Sequence, residues 1–147
     1  MEQFTFKTAI NASRERVWGI LFGKTTYPIW AAIFSEGSDA ETDWKKGSRA
    51  LFLDSSSGKG MVSKIEESIP YSYLGIIHLG MYDNGVEDFD SEEVKKWSGA
   101  TENYILTNKN GETELTIDMS ITAEFKDYFE QTWPKALAKI KELAEQP

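Results

Sequence analysis

Residues 124–145 read EFKDYFEQTWPKALAKIKELAE, and the rest of the chain is organised around this stretch. Phe125, Tyr128, Phe129, Trp133, Ala136, Leu137, Ile140 and Leu143 recur at intervals of three and four. That is the period of a helix with one broad apolar face. Glu124, Asp127 and Glu130 occupy its first half and Lys135, Lys139 and Lys141 its second, the order that complements the helix dipole. At 1.5 Å per residue such a helix is roughly 30 Å long. Its apolar side is too aromatic and too wide for a coiled-coil seam, so it requires a sheet to lie on. Pro134 removes one backbone donor and presses on the carbonyl of Glu130, so a bend is expected there. A bent aromatic helix cannot lie flush on a sheet along its whole length, and a gap beneath it is expected.

Upstream, Phe4 and Phe6 alternate with Thr5 and Lys7, which predicts a strand over 3–10. Ser13 is placed to cap a helix carrying the i,i+4 pairs Val17/Leu21 and Trp18/Phe22, ending near Gly23. Pro28 opens a second short helix with Ile29, Trp30 and Ile33. Residues 35–43 read as a loop leading into an edge strand. Strands are then expected over 48–54, 60–67, 73–79, 101–107 and 113–121. Asn110-Gly111 between two alternating runs is the strongest hairpin signal. Residues 80–99 read as a long acidic connection, lid-like, with one helical turn capped by Ser91. Strands grouped together with helices at the ends mean α+β, one curved antiparallel sheet wrapping a long helix.

The 147 residues suffice for one domain that buries about 68–70% of its unfolded surface without disulfides. Nineteen aromatic residues (five Trp, six Tyr, eight Phe) exceed what a small core needs. The absence of Cys excludes disulfides and thiolate chemistry. A net charge of −8 argues against nucleic acid and anionic membrane as partners. The first residues lack the build of a signal peptide, and the longest apolar run, 29–34, is far short of a membrane span. The expectation is a cytoplasmic protein with no membrane insertion and no cofactor.

Several local phrases resemble a known family. Ile10-Asn11-Ala12-Ser13-Arg14-Glu15-Arg16-Val17-Trp18 resembles the entry motif of the SRPBCC superfamily, the START-like, birch-pollen-allergen-like proteins with a helix-grip fold. Pro70 followed by Leu74, the run Trp97 to Tyr104, and the run Tyr128 to Leu137 resemble its bacterial branch similar to the heat-shock ATPase activator domain. The resemblance spans nearly the whole chain and implies a single START-like domain over 1–147. It also implies a cavity between helix and sheet, which members use for lipids, hormones or polyketide cyclisation.

The walls of such a cavity would be Phe125, Phe129 and Trp133 from the helix and Ile117 and Met119 from the last strand. Leu74, Ile76 and His78 form one alternate set, Tyr104 and Leu106 another, and Trp30 and Phe34 could close one end. The other reading is a packed aromatic core with no void. His78, the only histidine, lies near Glu102 if 73–79 pairs antiparallel with 101–107. A carboxylate beside an imidazole is the basic layout of acid/base chemistry, or a satisfied structural pair. Arg49 either meets a ligand carboxylate or sits on the surface. One His without Cys builds no typical zinc site, and Asp83-Asn84-Gly85 lacks the ligand spacing of a calcium loop. Phosphate-binding loops, nucleophile elbows and dinucleotide fingerprints are missing.

Three functions follow. The first is non-catalytic binding of a small hydrophobic or amphipathic molecule. The second is a protein-interaction domain with a partner such as a chaperone, although the activators pair this domain with a separate N-terminal module for which 147 residues leave no room. The third is an enzyme similar to the superfamily's polyketide cyclases, with His78 and Glu102 as acid/base and Tyr104 as donor.

Overall fold

The computed structural model describes residues 1–147. The chain runs β1 (Glu2–Ile10), α1 (Arg14–Leu21), α2 (Tyr27–Ala31), β2 (Ser38–Glu41), β3 (Arg49–Asp54), β4 (Lys59–Ile69) and β5 (Tyr73–Asp83). It continues with β6 (Val86–Asp88), α3 (Glu92–Lys95), β7 (Thr101–Lys109), β8 (Glu112–Ile121), a 3-10 turn (Ala123–Phe125) and α4 (Lys126–Glu145). The strands form one antiparallel sheet in the order β1-β8-β7-β5-β4-β3-β2, with β6 paired to β5. A single curled sheet around one long helix is the α+β helix-grip arrangement.

Local chemistry places the elements. Ser13 caps α1, its hydroxyl accepting from the Arg16 N–H at 3.2 Å. Asn110 and Gly111 both adopt positive φ in the β7–β8 turn, as a two-residue hairpin loop requires. The same dipeptide at Asn84-Gly85 turns β5 into β6. Residues 80–99 are therefore not the long irregular connection expected. β5 extends to Asp83, pairs back with β6, and is followed by the single turn α3, capped by Ser91 as the sequence indicates.

α4 runs unbroken through Pro134. The Thr132 hydroxyl donates back to the Tyr128 carbonyl at 2.6 Å, an i−4 bond that bends helices, two residues before the proline. The halves of the helix differ in packing. Trp133, Ala136, Leu137, Ile140 and Ala144 are buried, whereas Phe125 and Tyr128 in and before the first turn are exposed. The buried half lies under α1, and Arg16 fixes it there. Its guanidinium donates to the carbonyls of Ala144 at 2.7 Å and Gln146 at 2.9 Å. A cation at a helix C-terminus satisfies orphan carbonyls and opposes the dipole. Arg16→Ala is expected to cost about 1 kcal/mol and to speed amide exchange selectively in the last turn of α4. Unchanged exchange there would remove Arg16 from this role.

Two register shifts bend β4 against β5, one between Val62 and Ser63 and one between Ile65 and Glu67. At the first, Val62 faces Gly80 and Ser63 faces His78, so Leu79 is the extra residue. Such bulges increase twist and re-aim neighbouring side chains. Ahead of Leu79 the inward residues are Leu74, Ile76 and His78; beyond it the inward parity switches to Met81.

Candidate functional site

Two pockets of about 290 and 310 Å³ indent the molecule where the first half of α4 stands off the sheet. They share one wall, made of Met61, His78, Glu102, Tyr128 and Phe129. The first lobe lies towards α2, between Trp30, Phe34, Trp133, Tyr27 and Phe52. The second lies towards the β8 end, between Met119, Phe125, Met81 and Trp97. All four methionines of the chain line this second lobe. Thioether side chains are flexible and polarizable, so such a wall adapts to irregular apolar shapes.

The walls are held by specific contacts. Trp133 is 2% exposed, stacks edge-on against Phe34 at 4.8 Å, and directs its indole N–H at the Met119 sulfur at 3.0 Å. Trp30 donates its indole N–H to the Leu21 carbonyl at the end of α1, at 3.1 Å. The Tyr128 hydroxyl donates to the Phe34 carbonyl at 2.7 Å, tying the start of α4 to the segment after α2.

A single polar chain crosses the shared wall. β5 and β7 pair with Ile76 opposite Glu102, and the His78 Nε2 lies 3.2 Å from Glu102 Oε1. The Ser63 hydroxyl lies 2.7 Å from His78 Nδ1. The Tyr104 hydroxyl donates to the other Glu102 oxygen. His78 is 6% exposed and the Glu102 side chain 19%. Burial pushes the Glu102 carboxyl up, but the hydrogen bond and charge of His78, with the Tyr104 bond, outweigh it and hold the carboxyl below its usual value. Burial, and then the Glu102 charge, push the Tyr104 phenol well above its ordinary range, so it remains a donor. Burial likewise raises Tyr27.

Both ring nitrogens of His78 are thus engaged by protein atoms, Nδ1 by Ser63 and Nε2 by Glu102. Glu102 has accepted one bond on each oxygen, and each carboxylate oxygen has a second lone pair. The member of the chain with unused capacity towards the pockets is Glu102.

The expected wall residues divide. Trp30, Phe34 and Trp133 line the first lobe, Met119 and Phe125 the second, and His78 and Phe129 both. Leu74, Ile76, Leu106 and Ile117 line neither; they are fully buried in the core. Alternation assigned them to the correct face but not to a position along it, and their end of the sheet is closed by α1 and the second half of α4. Tyr104 lies beneath the pocket surface and reaches it through Glu102. Arg49 pairs with Glu87 at 2.7 Å on the outer surface and takes no part. Sequence reasoning passed over Tyr27, Phe52, Met61, Met81 and Trp97. Of these, Met81 was hidden by the bulge at Leu79, and Phe52 faces the His78 ring edge-on at 5.9 Å from the adjacent sheet region.

Residues 11–145 match the family described as "Activator of Hsp90 ATPase homolog 1-like protein". The chain belongs to this family. Its helix-grip architecture agrees with that membership, as the START-like resemblance implied. Three solved structures share the fold. An Aha1 dimer from Colwellia psychrerythraea is 18% identical with a TM-score of 0.73, covering 99% of this chain and 97% of that one. Protein MLL2253 from Mesorhizobium loti is 15% identical with a TM-score of 0.72, covering 97% and 96%. CalU16 from Micromonospora echinospora is 12% identical with a TM-score of 0.67, covering 97% and 76%. At these identities the likeness establishes the fold. No curated protein matches the chain in sequence. Membership in the family supports a ligand-binding or interaction domain in general. No helix of the protein is long and apolar enough to cross a membrane.

Proposed function

We propose that the protein holds a small amphipathic molecule between the first half of α4 and the sheet, without transforming it. The observation that carries this reading is the shared wall, where two apolar lobes meet at one polar point, Glu102 with His78 behind it. Ligand sites are mostly apolar concavities with a few fixed polar groups, and lobes of about 300 Å³ each fall at the lower end of their usual size. His78 has both ring nitrogens on protein partners, so Glu102 is the member of the polar chain left to meet a ligand.

Native mass spectrometry on protein purified undenatured from its own host tests this. A reproducible extra mass that disappears on solvent extraction is the expected result. A clean apo mass, joined by failure to bind any neutral amphiphile in titration, would overturn it. The family description favours a second reading, a protein-interaction domain that acts on a chaperone ATPase. Unchanged Hsp90 ATPase rates in the presence of the protein would remove that one.

A further inference from the structure

We infer that the ligand is a cationic amphiphile, with an amine or quaternary ammonium head seated at Glu102 and its apolar part in the aromatic and methionine lobes. This rests on the ligand-binding reading above and adds the chemical class. Three observations converge on it.

The first is the polar floor. Glu102 opens onto both lobes, and its remaining lone pairs only accept. His78 has no free nitrogen to offer an anion, because Ser63 and Glu102 occupy both. The Tyr104 hydroxyl is likewise spent on Glu102. An anionic head placed here meets the like charge of Glu102, and the unpaired donors of the lining are the Lys59 ammonium and Tyr27 hydroxyl in the first lobe and the Thr122 hydroxyl in the second.

The second is the balance of charged groups. Around the first lobe stand Asp39, Asp54 and Glu102 against Lys59 alone. Asp54 is engaged by the hydroxyls of Ser35 and Ser56. Asp39 at the rim accepts only the N–H of its neighbour Ala40. In the second lobe Glu102 is the one carboxylate; its partner there is His78, and no Lys or Arg side chain lines the lobe.

The third is the wall itself. Seven aromatic side chains line the first lobe, Tyr27, Trp30, Phe34, Phe52, Tyr128, Phe129 and Trp133. Aromatic faces carry negative quadrupole potential and attract organic cations, most strongly where water is excluded. A carboxylate at the base of an aromatic box is the arrangement that recognises an ammonium head.

The test is a calorimetric titration with four probes of equal chain length, each below its micellar concentration: decylamine, decyltrimethylammonium, decanol and decanoate. Both cations are expected to bind at least about tenfold more tightly than decanoate. Glu102→Gln should shrink that ratio to near unity while changing decanol affinity far less than that of either cation. If the variant does not fold, the wild-type ladder is repeated in about 1 M salt, where exposed charges are screened within roughly 3 Å. A preference that persists there supports the buried carboxylate. Decanoate equal to or tighter than the cations overturns the inference while leaving ligand binding intact. So does a preference that survives Glu102→Gln unchanged or vanishes in salt, since it then belongs to the net surface charge. Binding of none of the four overturns both readings.

Discussion

Trp133→Ala is expected to remove about 3–5 kcal/mol of stability, the cost of emptying a large buried aromatic site. Trp133 is where the two halves of α4 meet. It is 2% exposed, lies against Phe6, Trp30, Phe34 and Tyr104, and holds the Met119 sulfur through its indole N–H. Relaxation cannot refill the site, because its neighbours are fixed on four different elements. The helix is already weakened beside it, where Pro134 withholds an N–H from the Glu130 carbonyl. Chemical denaturation of the variant checks this, with Phe125→Ala as the companion. Phe125 is 45% exposed at the edge of the second lobe, so its truncation should stay within about 0.5 kcal/mol of wild type. Equal losses in the two variants would show that the first half of α4 is packed after all.

His78→Ala is expected to cost about 1–3 kcal/mol near neutral pH, because it strands an ionised carboxylate that is largely buried. The loss has a pH signature. In the wild type the folded-state value of Glu102 lies below its unfolded value. Its contribution to stability is therefore in place above the unfolded value and is lost as pH falls through the folded one. Without His78 the strongest partner opposing burial is gone, and the folded carboxyl moves up. The variant then gains relief on acidification that the wild type does not. The stability gap between them should be widest near neutral pH and narrow by about pH 4, where an ordinary Glu begins to protonate. A gap that stays constant with pH would mean that the loss is one of packing around the imidazole and not of charge.

The fold was legible wherever one local rule dominated. The 3.6 period of 124–145, the Ser13 cap, the Asn110-Gly111 turn and the apolar alternation of the last strand each name their element without help from the rest of the chain. Reading parity on 73–79 and 101–107 also brings His78 to Glu102, because an antiparallel pair in register puts like-facing residues side by side. What was missed depends on non-local facts. The bulge at Leu79 reverses which residues of β5 face inward, and nothing in Leu-Gly-Met announces it. The four methionines come together from the N-terminus, β4, β5 and β8, far apart in sequence. Alternation also cannot say which end of a face is filled. Leu74, Ile76, Leu106 and Ile117 share the inward face with His78 and Glu102, but the small residues Ala136 and Ala144 let the second half of α4 close over their end. Tyr128 and Phe129, in the first half, line both lobes instead. Asn84-Gly85 repeats the dipeptide of the β7–β8 turn, but the acidic run after it lacks the clean apolar alternation that flanks Asn110-Gly111.

The space under the first half of α4 is proposed to receive a small amphiphile. The most direct measurement is a two-dimensional amide and indole NMR titration with decanol, which carries no charge and so does not depend on the class of head group. Saturable shifts are expected for the Trp30, Trp97 and Trp133 indole N–H signals and for amides at Met61, His78, Glu102 and Phe129. Amides on the outer face of β1 and in the second half of α4 should stay in place. No saturable shift, or shifts confined to the outer face of the sheet, would contradict it.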